Sequence, residues 1–353
     1  MNILLAGATS FLGLAVCRAL LDRGDAVYAP VRADSARRSL LPVHPALHPF
    51  PGDLRDAGAI RRADLPEMEV CVDFAWSGVG VRGRMDPAIQ AENVKNTLSF
   101  LREAHALGCR RFLFSGSQAE YGVTEERVRS GVSASSPVTE DAPCRPLSEY
   151  GKGKLTVLRE GAELSRKLGM EYVHMRIFSV YGPGDHETSL VSTCVHAVRT
   201  GTRASLGPCS QLWNFLYVED LAAAVLALTD AASVSGGQRI YNVGSLDTRP
   251  LKDFVRDIFS VSGDAAPREH SAPFERTAPR ESFKSPEDSA LRERSAPPVS
   301  GALYEFCTRP AGPEGTPYLS PDISRLMRDT GFQPAVSFPE GIRRILAAKT
   351  AEV

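Results

Sequence analysis

The chain has 353 residues, enough for one large or two small domains with an ample core. An apolar share of 43% and a charged share of 24% are ordinary for a globular protein, and a net charge of -1 gives no electrostatic reason to expect nucleic acid or an anionic membrane as partner. Seven scattered cysteines without a C-x-x-C pair read as reduced thiols of a cytoplasmic protein, which excludes a disulfide framework and a zinc or other metal site, and no apolar run nears the roughly 20 residues of a transmembrane helix.

The first half alternates short apolar runs with helical patterns, the signature of βαβ units and a parallel sheet. Asn2 to Ala6 reads as a buried strand, not a signal peptide, because glycines follow at once. Leu12 to Arg23 is a helix ended by Gly24, and Ala26 to Val31 the second strand. A helix near Ala57 to Ala63 precedes a core strand from Val70 to Ala75. A long helix from about Pro87 to Leu107 stops at Gly108, a strand runs from Arg111 to Phe114, a helix from Glu149 to Leu168 and a strand from Glu171 to Met175. Beyond about Tyr181 the elements shorten and mix: helices at Leu190–Thr200, Val218–Asp230 and Leu251–Ser260, a strand at Ile240–Val243, and a last helix at Pro339–Lys349. This is the pattern of a smaller substrate-capping region interleaved with the sheet, giving a first part over 1–180 and a second over 181–353. Residues 267–315, rich in Pro, Ser, Ala, Arg and Glu, read as a mobile surface insertion.

Gly7-Ala8-Thr9-Ser10-Phe11-Leu12-Gly13 follows the first strand and opens the first helix, the context a phosphate-binding glycine loop needs. Gly7 permits the tight turn and Gly13 close helix packing, while Ser10 stands at the central position and offers a hydroxyl donor. The helix N-terminus supplies free N–H groups and a positive dipole for a diphosphate. At the end of the second strand, where an NAD site usually places a carboxylate, the chain reads Pro30-Val31-Arg32-Ala33-Asp34. Arg32 suits the 2′-phosphate of NADP, and Asp34 is near enough to serve NAD instead. Gly52-Asp53-Leu54 is placed to contact adenine.

Tyr150 and Lys154 lie four positions apart on a helix and share one face. An ammonium there stabilises a phenolate and makes the tyrosine a general acid/base near neutral pH. Ser117 lies upstream at a Ser-rich strand end. Lys152 points away from that face and reads as a solvated charge, and Tyr121 as core packing.

With these residues assembled, the chain resembles the extended short-chain dehydrogenase/reductase family, the nucleotide-sugar epimerases, dehydratases and reductases. The ordered matches run from the Gly7 loop through Gly52-Asp53-Leu54, Asn93 to Thr97, Phe114 to Gly122, Tyr150 to Lys154 and Arg176 to Gly184, and end at Asn214 to Ala222. The resemblance implies an α/β, Rossmann-like doubly wound parallel sheet and a catalytic set of Ser117, Tyr150 and Lys154. It implies cofactor contacts from Gly7, Thr9, Ser10, Phe11, Leu12, Gly13, Arg32, Asp53, Leu54, Phe74, Ala75 and Asn93, together with Tyr150 and Lys154. Substrate contacts fall to Trp76, Gln118, Ser179 and Trp213. The partners implied are a nucleotide-sugar substrate and a second copy of the chain, docked through the helices near Pro87–Leu107 and Glu149–Leu168.

Departures narrow the reaction. Gln118 and Ala119 replace the acidic residues that family members use to eliminate water or decarboxylate. That leaves hydride transfer at a sugar carbon, as NADP-dependent reduction of a 4-keto (6-deoxy) sugar or as a 4-epimerase cycling retained NAD; a non-catalytic dinucleotide sensor predicts a broken triad. Ser179 stands for an asparagine, and Trp213-Asn214 for an Arg-Asp pair, at the substrate diphosphate. Trp213 either stacks on the ligand or fills core, and Arg249, Arg309 or Arg343 is left to supply positive charge.

Overall fold

A computed structural model describes residues 1–56, 58–61, 63–122, 136–232, 235–261, 303–307 and 320–348. In chain order its strands are Asn2–Ala6 (β1), Ala26–Val31 (β2), Leu47–Pro51 (β3), Val70–Asp73 (β4), Arg111–Ser117 (β5), Glu171–Ile177 (β6), Ser179–Tyr181 (β7), Ala204–Ser205 (β8), Leu212–Tyr217 (β9), Gln238–Val243 (β10), Thr248–Pro250 (β11) and Tyr304–Glu305 (β12). The helices are Phe11–Arg23 (α1), Val81–Arg84 (α2), Pro87–Ala106 (α3), Glu149–Leu168 (α4), Leu190–Thr200 (α5), Val218–Asp230 (α6), Leu251–Val261 (α7), Ser324–Thr330 (α8) and Phe338–Ala347 (α9).

Seven strands form one parallel sheet in the order β3-β2-β1-β4-β5-β6-β10. Both faces are covered, as a parallel sheet requires. Ile3 and Leu5 of β1 pack with α1 and α6, whereas Leu4 and Ala6 face α3 and α4. The strand order turns back between β1 and β4, which opens a crevice beyond their carboxyl ends. β10 and α6 complete these layers from beyond residue 180, so the second part of the chain is built into the first.

A smaller lobe leaves the end of β6. Its sheet, ordered β11-β9-β7, is backed by α5, α7 and α9 around a cluster of aromatic rings. Phe254 lies 5.1 Å from Phe215 and 4.7 Å from Phe338, ring to ring.

Two expectations need correction. No helix forms at 58–61: Gly58 turns the chain at φ +86°, and the Glu103 carboxylate holds the turn by accepting the N–H groups of Gly58, Ile60 and Arg61. Within the expected insertion, residues 303–307 are packed, not loose. β12 pairs with β8, and Tyr304 is buried, stacked on Phe259 at 4.3 Å. The rest of the 267–315 stretch lies outside the described residues.

Candidate active site

The crevice holds a cleft of about 740 Å³. At its floor the β1–α1 turn is built for close approach. Gly7 has φ +75°, and a side chain there would meet the Phe74 backbone at 2.6 Å. A Cβ on Gly13 would sit 2.1 Å from the Gly7 carbonyl oxygen. Ser10 caps α1, its Oγ accepting the Gly13 N–H at 3.0 Å, so its oxygen is committed to the helix while its hydroxyl hydrogen is left to donate. Thr9, Phe11, Leu12, Phe74 and Ala75 also line the cleft. These residues leave a backbone-walled cradle at a helix N-terminus, which fits a dinucleotide diphosphate.

At the far end of the cleft Arg32 is half-exposed and lies 3.6 Å from Asp34. Asp53 accepts from Arg55, whose guanidinium holds its carboxyl below the ordinary range. Leu54 and Arg37 complete this end, where Arg32, Arg37 and Arg55 stand with Asp34 and Asp53. Asn93 ties α3 to the loop after β4: its Oδ1 accepts from Ser77 N–H at 3.0 Å and its Nδ2 donates to Ser77 O at 2.9 Å.

Ser117, Tyr150 and Lys154 all line the cleft. Ser117 ends β5, and its Oγ accepts the Ala119 N–H at 3.2 Å, so it serves as a cap while lining the cleft. Lys154 is 2% exposed, and its Nζ donates to Ser115 O at 2.6 Å. The ammonium lies 3.9 Å from the centre of the Trp76 ring and 5.6 Å from that of Tyr150. Trp76 stands edge-on to Tyr150 at 6.2 Å, held by an Nε1–H bond to Gln90 of 2.8 Å. Gly153 makes its room, since a Cβ there would touch the indole at 3.3 Å. On the other side, Arg84 of α2 lies 4.2 Å over the Tyr150 ring. The tyrosine is thus framed by two cations and an indole. Lys152 pairs with Glu149 on the exposed face of α4, as its spacing predicts.

Behind Ser117 lies a buried network. Glu120, 0% exposed, accepts the Ser117 N–H at 2.8 Å and Arg176 Nε at 2.9 Å, and is 2.8 Å from His174 Nε2. Burial alone would raise its carboxyl; His174, Arg176 and the Ser117 N–H outweigh it and hold the group below the ordinary range. Gly116 admits this packing, because a Cβ there would collide with His174 at 2.2 Å. Tyr121 is core, as expected, its hydroxyl donating to Asn242 at 2.7 Å.

A profile of the NAD dependent epimerase/dehydratase family matches residues 3–244. The chain belongs to that family. It is 26% identical to a UDP-glucose 4-epimerase of Azospirillum brasilense over 75% of this chain and 79% of that protein. It is also 26% identical to a 2-alkyl-3-oxoalkanoate reductase of Stenotrophomonas maltophilia, over 99% of this chain and 100% of that one. Among solved structures, RMD from Pseudomonas aeruginosa complexed with NADPH has the same fold, with a TM-score of 0.70 at 17% identity, covering 98% of each chain. UDP-glucose 4-epimerases recur among the other relatives and neighbours, and one neighbour from Thermus thermophilus is a complex with NAD.

Within this family member the substrate end departs from the sequence expectation. Gln118 and Trp76 line the cleft, but Ser179 and Trp213 do not. Trp213 is partly buried, packing 6.2 Å from Phe215 and against the Tyr121–Phe178 cluster, with its indole N–H lacking a hydrogen-bond partner among the described residues. Asn214 is fully buried and braces the 245–248 turn through Ser245, Asp247 and Thr248. Arg249 is bound to Asp247 and Asp257, and Arg343 to Glu340, so neither stands free for a diphosphate; Arg309 lies outside the described residues. Asp185 and His186 occupy that end of the cleft instead. Sequence reasoning passed over Asp73, Arg84 and Gln90. Asp73 left a signal: a charge inside the apolar run Val70-Cys71-Val72-Asp73-Phe74. Among the described residues no His, Cys, Asp and Glu cluster suits a metal ion, and no helix is long and apolar enough to cross a membrane.

Proposed function

We propose that the chain is an NADP-dependent oxidoreductase reducing a nucleotide-linked 4-keto, 6-deoxy sugar. The observation that carries the reading is that Ser117, Tyr150 and Lys154 all line the one cleft that the Gly7–Gly13 turn floors. The bound dinucleotide would lie over that turn, with Arg32 at its ribose phosphate, and supplies the hydride. The chain does the rest. Tyr150 gives its phenolic proton to the carbonyl oxygen, Ser117 donates to the same oxygen, and the Lys154 ammonium stabilises the phenolate left behind. Trp76 and Gln118, which line the cleft, would border the reacting carbon.

A second reading, a UDP-sugar 4-epimerase that keeps its NAD, is favoured by the names of the relatives. The arginines at the β2 tip support the reductase, because a coenzyme exchanged at every turnover is the one a reductase needs. We place the enzyme in the cytoplasm as a homodimer joined through α3 and α4. Absorbance of the purified protein, followed by NADPH oxidation with CDP-, dTDP-, UDP- and GDP-linked keto sugars, tests the assignment. Coenzyme consumption with one of these sugars supports it; stoichiometric retained NAD(H) with no net consumption supports the epimerase.

A further inference from the structure

Lys154 carries its charge into an almost sealed pocket. Its ammonium has Ser115 O at 2.6 Å and Ser115 Oγ at 3.4 Å, the Trp76 ring at 3.9 Å and the Phe114 ring at 4.5 Å. Neutral partners and ring faces replace only part of the water an ammonium loses, so a charge held there needs a counter-charge. Asp73 is in register with Ala6 on one side and Phe114 on the other. Paired residues of a parallel sheet leave it on the same face, so Asp73 enters the layer between sheet and α4 where Lys154 lies over Phe114. The carboxylate is 0% exposed. Its Oδ1 accepts the Ala75 N–H at 2.8 Å, and its Oδ2 is buried without a hydrogen-bond partner.

We propose that Asp73 is the counter-charge that keeps Lys154 an ammonium behind Tyr150, a positioning residue for proton transfer. The inference rests on the reading of Lys154 as the partner of Tyr150. The titratable and charged groups facing the pair are Cys71 on β4, Glu120 after β5, Tyr172 and His174 on β6, Arg84 on α2 and Tyr150 on α4 itself. Burial lowers the Lys154 ammonium and raises the Asp73 carboxyl; the charges of Asp73 and Glu120 pull the lysine back up, and Arg84 opposes them. Glu120 is already bound to His174 and Arg176. Asp73, with one oxygen unbound, is the acid that answers to Lys154. Lys154 helps to stabilise the phenolate formed when Tyr150 gives up its proton only while it is charged itself.

The test is a pH titration of Lys154 by NMR in protein labelled with carbon-13 at lysine Cε. Its signal is assigned by its loss in Lys154→Met. Removing a charge that raises the lysine moves its midpoint down, so Asp73→Asn should lower it by about one unit or more. Asp73→Ser, which still offers an acceptor to Ala75 N–H, serves if the asparagine variant does not fold. A midpoint that stays in place in a folded variant overturns the proposal. The readout needs no turnover, so it separates from the fate of the reductase reading: failure of every keto sugar leaves this titration interpretable.

Discussion

Replacing Glu120 by glutamine keeps the shape of the buried network behind Ser117 and removes its charge. The Arg176 side chain is 3% exposed and would lose its carboxylate, retaining the Tyr121 hydroxyl and the Glu140 carbonyl. Breaking one side of a buried ion pair costs about 3–5 kcal/mol, a large part of the roughly 5–15 kcal/mol that holds a domain folded. Urea unfolding at pH 7 followed by circular dichroism should show that loss. The pH dependence gives a second check with a fixed sign. The Glu120 carboxyl is held below its ordinary value, so its contribution is present above the unfolded pKa of about 4.3 and fades as pH falls through the native value. The gap between wild type and Glu120→Gln should therefore be widest at neutral pH and close in acid. A gap under about 1 kcal/mol at pH 7, within the range of an ordinary surface pair, would refute the reasoning, as would a gap that does not change with pH.

Two further substitutions probe the cofactor cradle. Gly13→Ala puts a Cβ 2.1 Å from the Gly7 carbonyl oxygen, so the turn must shift. Dinucleotide Kd measured by calorimetry should rise about tenfold or more, with a stability loss of about 1–3 kcal/mol typical of overpacking. Arg32→Ala should weaken NADP binding by about tenfold, the worth of one charge-assisted bond, and leave NAD binding unchanged. An equal loss for both coenzymes would place Arg32 away from the 2′-phosphate.

The inner strands of the sheet were legible because they are short, buried on both faces and separated by helices with clear caps, such as Ser148 before and Gly169 after α4. The pairing of Tyr150 with Lys154 followed from helical spacing alone. What lay hidden were contacts across distant segments. The Glu103 carboxylate, 42 to 45 residues along the chain, ties down the turn at 58–61, and no local pattern announces such a partner. Trp76 came from the motif as a substrate residue; that it would lie on the Lys154 ammonium required the slot at Gly153 and the bond to Gln90. Trp213 was open between ligand and core, and Tyr121 and Phe178, the cluster it packs against, lie far along the chain, where no local pattern shows them. Tyr304 packs because a strand pairing with β8 gives its ring a surface at Phe259, a gain that composition does not register.

The central claim is hydride transfer to a carbonyl carbon with Tyr150 as proton donor. Turnover with NADPH deuterated at the transferring position of the nicotinamide, on a keto sugar found in the screen, tests it most directly. One deuterium should enter the product for each coenzyme oxidised, and the rate should fall about 10²-fold or more in Tyr150→Phe with dinucleotide binding intact. Product without deuterium, or an undiminished rate in that variant, would contradict it.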